Sequence, residues 1–265
     1  MKTRIITAIV AIALFIPICY FSDTVIFPIA IGILCAVAVF EMAKCINCHK
    51  KLAIIVPCII IGLVMPILPY FLSASLFISC AMATAFLLLI YMLAYVMFGM
   101  NKEKITDIMS LFALIFYVIG CFVSIVMIRV ADDGKYLYLL IFLGAWVSDT
   151  FAYFTGRFIG KHKLIPQISP KKTVEGAIGG VVFTIGAFIL YGVIIKGAIP
   201  YYKLAILGTI LPIVSQIGDL IASAIKRQYE IKDYGFVFPG HGGVLDRFDS
   251  VMLVSPVLLI ITSIL

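Results

Sequence analysis

Charge is what this chain has least of. Of its 265 residues only 12% are Asp, Glu, Lys or Arg, 64% are apolar, and the mean hydropathy is +1.21. Soluble domains carry about 25% charged and about 45–50% apolar residues. A water-soluble fold of this size has too little polar surface to cover so much hydrocarbon, whereas a bilayer removes the need. The class that follows is an integral membrane protein. No soluble domain fits between the apolar runs, the longest gaps being 158–173 and 226–247. A disulfide framework is also missing. The seven cysteines (Cys19, Cys35, Cys45, Cys48, Cys58, Cys80 and Cys121) are odd in number, irregular in spacing and mostly set in apolar runs, where cysteine acts as a small hydrophobe. Cys45-x-x-Cys48-His49 spells a haem-attachment pattern, but the orientation derived below puts it in the cytoplasm, and an incidental loop is expected. The N-terminal run lacks a small-x-small cleavage site before Tyr20, so it is expected to stay as a first helix. A compact chain without an added domain or targeting extension is expected of a bacterium.

What is present is apolar length. Runs of about 20 apolar residues cross the hydrocarbon as helices. Nine occur, at about 4–21, 24–42, 52–72, 75–99, 107–130, 136–157, 174–195, 203–225 and 248–265. The expected fold class is an all-α polytopic membrane protein of about nine transmembrane helices, some of them discontinuous. Pro57, Pro66 and Pro69 interrupt the third run, Asp149 sits in the sixth, and Ser215, Gln216 and Asp219 sit in the eighth. With nine spans, sixteen of the twenty Lys and Arg fall on the N-terminal side and four (Arg129, Lys135, Lys196, Lys203) on the other. Basic loops stay inside, so the N-terminal side is expected to be cytoplasmic and the membrane to be the inner one. Topology then accounts for the net charge of +7, and nucleic acid is not expected as a partner. Both long polar loops reach the cytoplasm, where nucleoside triphosphates are found. The first half has no intramembrane carboxylate apart from Glu41, near a span end. Residues 1–130 are therefore read as scaffold helices and 131–265 as the part that carries the site.

In the eighth run, Ser215, Asp219, Ser223 and Lys226 stand at i, i+4, i+8 and i+11, along one helical face. A carboxylate in a membrane helix costs at least a few kcal/mol, so it faces a cavity, a metal or a cation. An internal Asp–Lys pair that merely locks helices is the plain alternative. The sixth run repeats the theme with Ser148, Asp149 and Thr150, and Tyr153, Gly156 and Gly160 continue the face; those glycines also permit close helix packing. The loop 157–176 offers Arg157, Lys161, Lys163, Lys171 and Lys172 together with Ser169, Thr173 and a glycine before a helix. These can hold phosphate oxygens, and a helix N-terminus adds donors. Positive-inside charge and anionic lipid headgroups explain the same loop more plainly. A true P-loop is absent, since Gly156-x-x-x-Gly160-Lys161 is one residue short and no Ser or Thr follows. Ser223-x-x-Lys226 lacks the partner motifs of a penicillin-binding site. Farther on, Pro239-Gly240-His241-Gly242-Gly243 is a backbone run that can approach a ligand closely. Asp246 and Asp249, three apart, offer the hard oxygens that Mg²⁺ prefers, and Arg247 offers a planar fork for phosphate.

The 27 residues from Ser223 to Asp249 resemble the signature of the phosphatidate cytidylyltransferase family. Ser223, Lys226, Arg227, Lys232, Asp233, Pro239, His241, Gly242, Gly243, Asp246, Arg247 and Asp249 meet its fixed positions. Ser148-Asp149 and Ser169-Pro-Lys-Lys-Thr173-x-Glu175-Gly176 are similar to the family as well. Together these cover roughly 145–250. The resemblance implies CTP and phosphatidic acid as substrates, Mg²⁺ as cofactor (one or two ions, with a monovalent cation left open) and CDP-diacylglycerol and pyrophosphate as products, a step of phospholipid biosynthesis. On that basis Asp219 and Asp246 are the first choice as metal ligands, with Asp249 and Asp149 next. Lys226, Arg227 and Arg247 are expected to neutralise CTP phosphates or the leaving pyrophosphate. Ser223, Ser169, Lys171, Lys172, Thr173, Gly242 and Gly243 are expected to contact substrate, and His241 to orient a phosphate or to stabilise the loop. Membrane lipids are the remaining partners, and a homodimer is left open. Two alternatives stand beside this reading. A CTP-dependent polyprenol kinase would move the γ-phosphate instead. A transporter would place charges in matching positions of two repeats, and no internal repeat is present. The Asp-Gly-x-x-Ala-Arg core of a CDP-alcohol phosphotransferase is absent.

Overall fold

The structure, a computed structural model, describes residues 2–99 and 104–264. Of the cations counted for orientation, Lys102 and the side chains of Lys2 and Arg4 lie outside the described residues. The chain is an all-α polytopic membrane protein: among the described residues eight helices are long and apolar enough to cross a bilayer. The first helix adds a shorter apolar stretch, Ile9–Tyr20. Two compact units emerge, one made of residues 1–130 and 233–246, the other of 131–232 and 247–265. The loop 233–246 groups with residues 1–130.

The first unit runs α1 (Lys2–Tyr20), α2 (Ile26–Cys45), α3 (Leu52–Val64), α4 (Leu68–Phe71), α5 (Ala74–Phe98) and α6 (Ile105–Val130). Helix α2 is central and meets α1, α3 and α6. Its core residues Phe27, Cys35 and Met42 are sealed, as are Ile54 and Ile55 of α3 and Leu111 and Phe122 of α6. Cys45 closes α2, and Asn47 adopts φ 58° in the turn that follows. Cys45 and Cys48 are both buried, which leaves them as packing groups. The run 52–72 was expected to be discontinuous. Helix α3 passes through Pro57 and stops at Val64, and a turn carrying Pro66 precedes α4, which has Pro69 in its first turn. Proline cannot donate to the carbonyl four residues back. For Pro57 that carbonyl belongs to Ala53, and the Tyr91 hydroxyl of α5 donates to it at 2.8 Å.

The second unit runs α7 (Gly134–Ile159), β1 (Lys163–Ile165), β2 (Ser169–Thr173), α8 (Val174–Ile194), α9 (Tyr201–Gln228) and α10 (Leu245–Ile264), whose first two residues fall in the other unit. The small antiparallel hairpin β1–β2 was not expected. Ile165 pairs with Ser169 and Lys163 with Thr173. Ile165 and Ser169 each precede a proline, which drives both toward extended backbone. Helices α7, α8 and α9 pack against one another. A Cβ on Gly180 would meet the Ser148 carbonyl at 2.9 Å, so α8 can lie this close to α7 only with glycine there. Thr173 caps α8, its hydroxyl accepting the Gly176 N–H at 3.1 Å. In α10, Pro256 frees the Met252 carbonyl, and the Ser255 hydroxyl donates to it at 3.3 Å.

Candidate functional site

In the second unit the polar residues of three helices and the hairpin converge. Ser148 on α7 and Ser215 on α9 are fully buried, at 0% exposure. Gln216 Nε2 donates to Ser148 Oγ at 3.2 Å and to the Ala177 carbonyl of α8 at 3.1 Å, so one amide ties α7, α8 and α9. Ser215 Oγ, a turn before Asp219, is buried with no hydrogen-bond partner among the described residues. Asp219 is paired with Lys172 of β2, Nζ to Oδ2 at 2.5 Å, and Ser223 Oγ donates to its Oδ1 at 3.4 Å. Asp219 and Ser223 of the face read from the eighth run are in contact, and the cation paired with Asp219 comes from the hairpin.

Asp149 of α7 and Asp249 of α10 are joined through Ser250. The Ser250 hydroxyl donates to Asp149 Oδ2 at 2.6 Å and stands 3.4 Å from Asp249 Oδ1. A hydroxyl has one proton to give, so the short contact holds it. Asp219 is within electrostatic range of both carboxylates, Lys172 of Asp149, and Lys226 of Asp249. Three carboxylates and two ammonium groups thus come together, Lys172 from β2 and Lys226 from the last turn of α9. Buried charge in a membrane helix is held against compensating charge, and in this set the two lysines supply it. The carboxylate oxygens are the hard donors that Mg²⁺ takes together with water and substrate phosphates. Among the described residues, as they stand, no group of three or more His, Cys, Asp or Glu side chains is placed to hold a metal ion.

The basic loop is folded onto Glu175 at the start of α8. Its carboxylate accepts the N–H groups of Lys161 at 3.1 Å and His162 at 3.2 Å, and it meets His162 Nδ1 at 2.6 Å. Ser169 is half-buried and Lys171 exposed. Arg227 at the end of α9 and Arg247 on the first turn of α10 are also exposed, and Lys226 is half-buried.

The loop 233–246 is held within the first unit. Asp246, 6% exposed, accepts the Tyr234 N–H at 2.8 Å and the Gly243 N–H at 3.0 Å, both on Oδ2. Gly242 has φ +88°, and a Cβ there would stand 2.7 Å from Asp246 Oδ2. The His241 N–H donates to the Phe238 carbonyl at 2.8 Å, while its Nδ1 is buried with no hydrogen-bond partner among the described residues. The Thr7 hydroxyl of α1 donates to the Pro239 carbonyl at 2.9 Å, and Lys44 of α2 lies 5.6 Å from the centre of the Phe236 ring. The sequence reading missed Ser250, Gln216 and Glu41. Ser and Gln are unremarkable polar residues in a span until their partners are known. Glu41 carried a signal, as a carboxylate at the end of an apolar run, and was left unused.

Residues 2–265 match the profile of the cytidylyltransferase family. Curated bacterial proteins are similar over their whole length. The phosphatidate cytidylyltransferase of Staphylococcus haemolyticus is 35% identical over 259 residues, which is 97% of each chain. That of Bacillus subtilis is 33% identical over 263 residues, 97% of this chain and 96% of the relative. That of Staphylococcus aureus (strain COL) is 34% identical over 275 aligned positions, 97% of each.

Proposed function

The chain belongs to the cytidylyltransferase family, and from that premise we propose that it joins CTP to phosphatidic acid, giving CDP-diacylglycerol and pyrophosphate. The observation that carries the reading is the meeting of Asp149, Asp219 and Asp249, from three apolar helices, with Lys172 of the hairpin and Lys226 of α9. An oxygen of the lipid phosphate attacks the α-phosphorus of CTP. The bond from that phosphorus to the bridging oxygen of the β-phosphate breaks, and pyrophosphate leaves with the electron pair. The nucleophile is already an anion, so no strong general base is required. All reacting groups carry negative charge, so rate comes from positioning and electrostatic stabilisation.

Asp149, Asp219 and Asp249 are the proposed holders of Mg²⁺, which when bound neutralises phosphate charge. Ser250 fixes the orientation of Asp149. Lys226, Arg227 and Arg247 neutralise the triphosphate and the departing pyrophosphate. Lys172, held by Asp219, and the neighbouring Lys171, Ser169 and Thr173 serve the phosphate side of the substrates; Thr173 acts through the start of α8, and Ser223 through Asp219. Asp246 keeps its place as a candidate ligand with one condition. Its Oδ2 already accepts two amides, which makes ordering the loop Gly242–Gly243 its first task. His241, with a buried ring nitrogen in that loop, is proposed to orient a phosphate. The excess of basic loops on the N-terminal side supports an inner-membrane protein working at its cytoplasmic face. Phosphatidic acid then stays in its leaflet while CTP arrives from water.

The test is to give the purified protein phosphatidic acid, Mg²⁺ and CTP labelled at the α- or the γ-position. The expected result is α-label in lipid and γ-label in pyrophosphate. Entry of γ-label into a lipid alcohol would replace this reading with a lipid kinase, and transfer of neither label would overturn both.

A further inference from the structure

Glu41 is a buried carboxylate that the proposed reaction does not use. It lies on α2, one turn before the helix ends, and is 3% exposed. Its two oxygens are both committed: Oε1 accepts the Val244 N–H at 3.0 Å and Oε2 the Leu245 N–H at 2.9 Å. Leu245 is the first residue of α10, the helix that carries Asp246, Arg247 and Asp249. The first N–H groups of a helix have no partner within it, and a carboxylate there gains both charge-assisted hydrogen bonds and the favourable end of the helix dipole. With Asp246 accepting the Gly243 N–H, three consecutive amides, 243 to 245, are bound by carboxylates. The loop is shaped around the Glu41 side chain. A Cβ on either Gly235 or Gly243 would run into its carboxylate, so both positions need glycine for room.

We propose that Glu41 is a positioning residue for the reaction: it sets the rotation and depth of the first turn of α10, and so aims the acidic and basic side chains of that turn. The inference rests on the reading that segment 223–249 carries the reaction. The carboxylate takes two successive amides at the start of the helix that bears the signature residues, and two glycines of that signature segment enclose it. Buried side chains that hold reacting groups in place control turnover, since a displacement of about 1 Å costs about 100-fold in rate.

The experiment uses the full chain in detergent or nanodiscs, with E41A, the near-isosteric E41Q, G243A and the double variant E41A/G243A. Hydrogen exchange is followed in the peptide spanning 240–248, alongside kcat and KM for CTP. In E41A, exchange at 243–245 is expected to accelerate and kcat to fall about 100-fold, with KM within about threefold. E41Q keeps the shape and loses one acceptor, so it falls between E41A and wild type. G243A alone is expected to lose activity through its clash with Glu41, while adding G243A to E41A costs little more than E41A alone. Unchanged exchange in E41A, or wild-type kcat in E41A, overturns the proposal. Faster exchange in E41A from a preparation whose wild-type protein transfers no α-label would leave the clamp standing and sink the functional reading instead.

Discussion

At the scale of single residues, Asp219 is held from two sides, by Lys172 and by Ser223. Asp219→Asn removes the charge that pairs with Lys172 and that, in the proposed reaction, would hold Mg²⁺. Transfer of α-label is expected to fall about 100-fold, with the protein still folded by size-exclusion profile; an unimpaired rate would remove Asp219 from the site. Ser250→Ala deletes the one hydroxyl that orients Asp149. A loss of about tenfold in kcat is expected, in line with the effect of groups that orient metal-side carboxylates. Gln216→Leu keeps volume but removes the donor shared by Ser148 and Ala177, and a thermal unfolding series in detergent should register a loss of about 1 kcal/mol. The three carboxylates were legible in the sequence because acidic groups in apolar runs are costly and therefore stand out. Ser250 was not legible. A hydroxyl in a membrane helix ordinarily returns its proton to its own backbone, as Thr184 does to the Gly180 carbonyl, and only the fold reveals which hydroxyl does otherwise.

At the scale of elements, the helices were readable from run length alone, but their joints were not. The hairpin β1–β2 was hidden by its shortness, although Pro166 and Pro170 flag the two extended residues that pair in it. Helix α3 shows how a break is avoided: the carbonyl that Pro57 orphans is capped from α5 by Tyr91. Tyr91→Phe should cost about 1 kcal/mol, the net worth of a typical hydrogen bond. In a Pro57→Ala background residue 57 has its own N–H to donate, so the same change should cost much less; equal losses in both backgrounds would show that the hydroxyl matters for another reason. The contact of α7 with α8 tolerates no bulk. Gly180→Leu is expected to lower stability by about 1–3 kcal/mol, read as an earlier thermal transition.

At the scale of the whole molecule, the long apolar runs gave the multi-pass membrane architecture and the signature gave the reaction class. The loop 233–246 is contiguous in sequence with α9 and α10 yet groups with the N-terminal helices, so proximity in sequence does not fix proximity in space. If Asp149, Asp219 and Asp249 hold Mg²⁺ as proposed, chelation should abolish α-label transfer. Mg²⁺ should restore it better than Ca²⁺, whose looser and larger coordination fits phosphate chemistry less well. Full transfer in chelator would remove the metal from the proposal. The long span between Glu41 and its partners also bears on biogenesis. Val244 lies 203 residues downstream. At about 5–20 residues per second, the ribosome needs roughly 10–40 s after making Glu41 to produce the amides that will receive it. Through that interval α2 carries a carboxylate destined for burial without its acceptors' partners, so the last stretch of synthesis completes the first stretch of the fold.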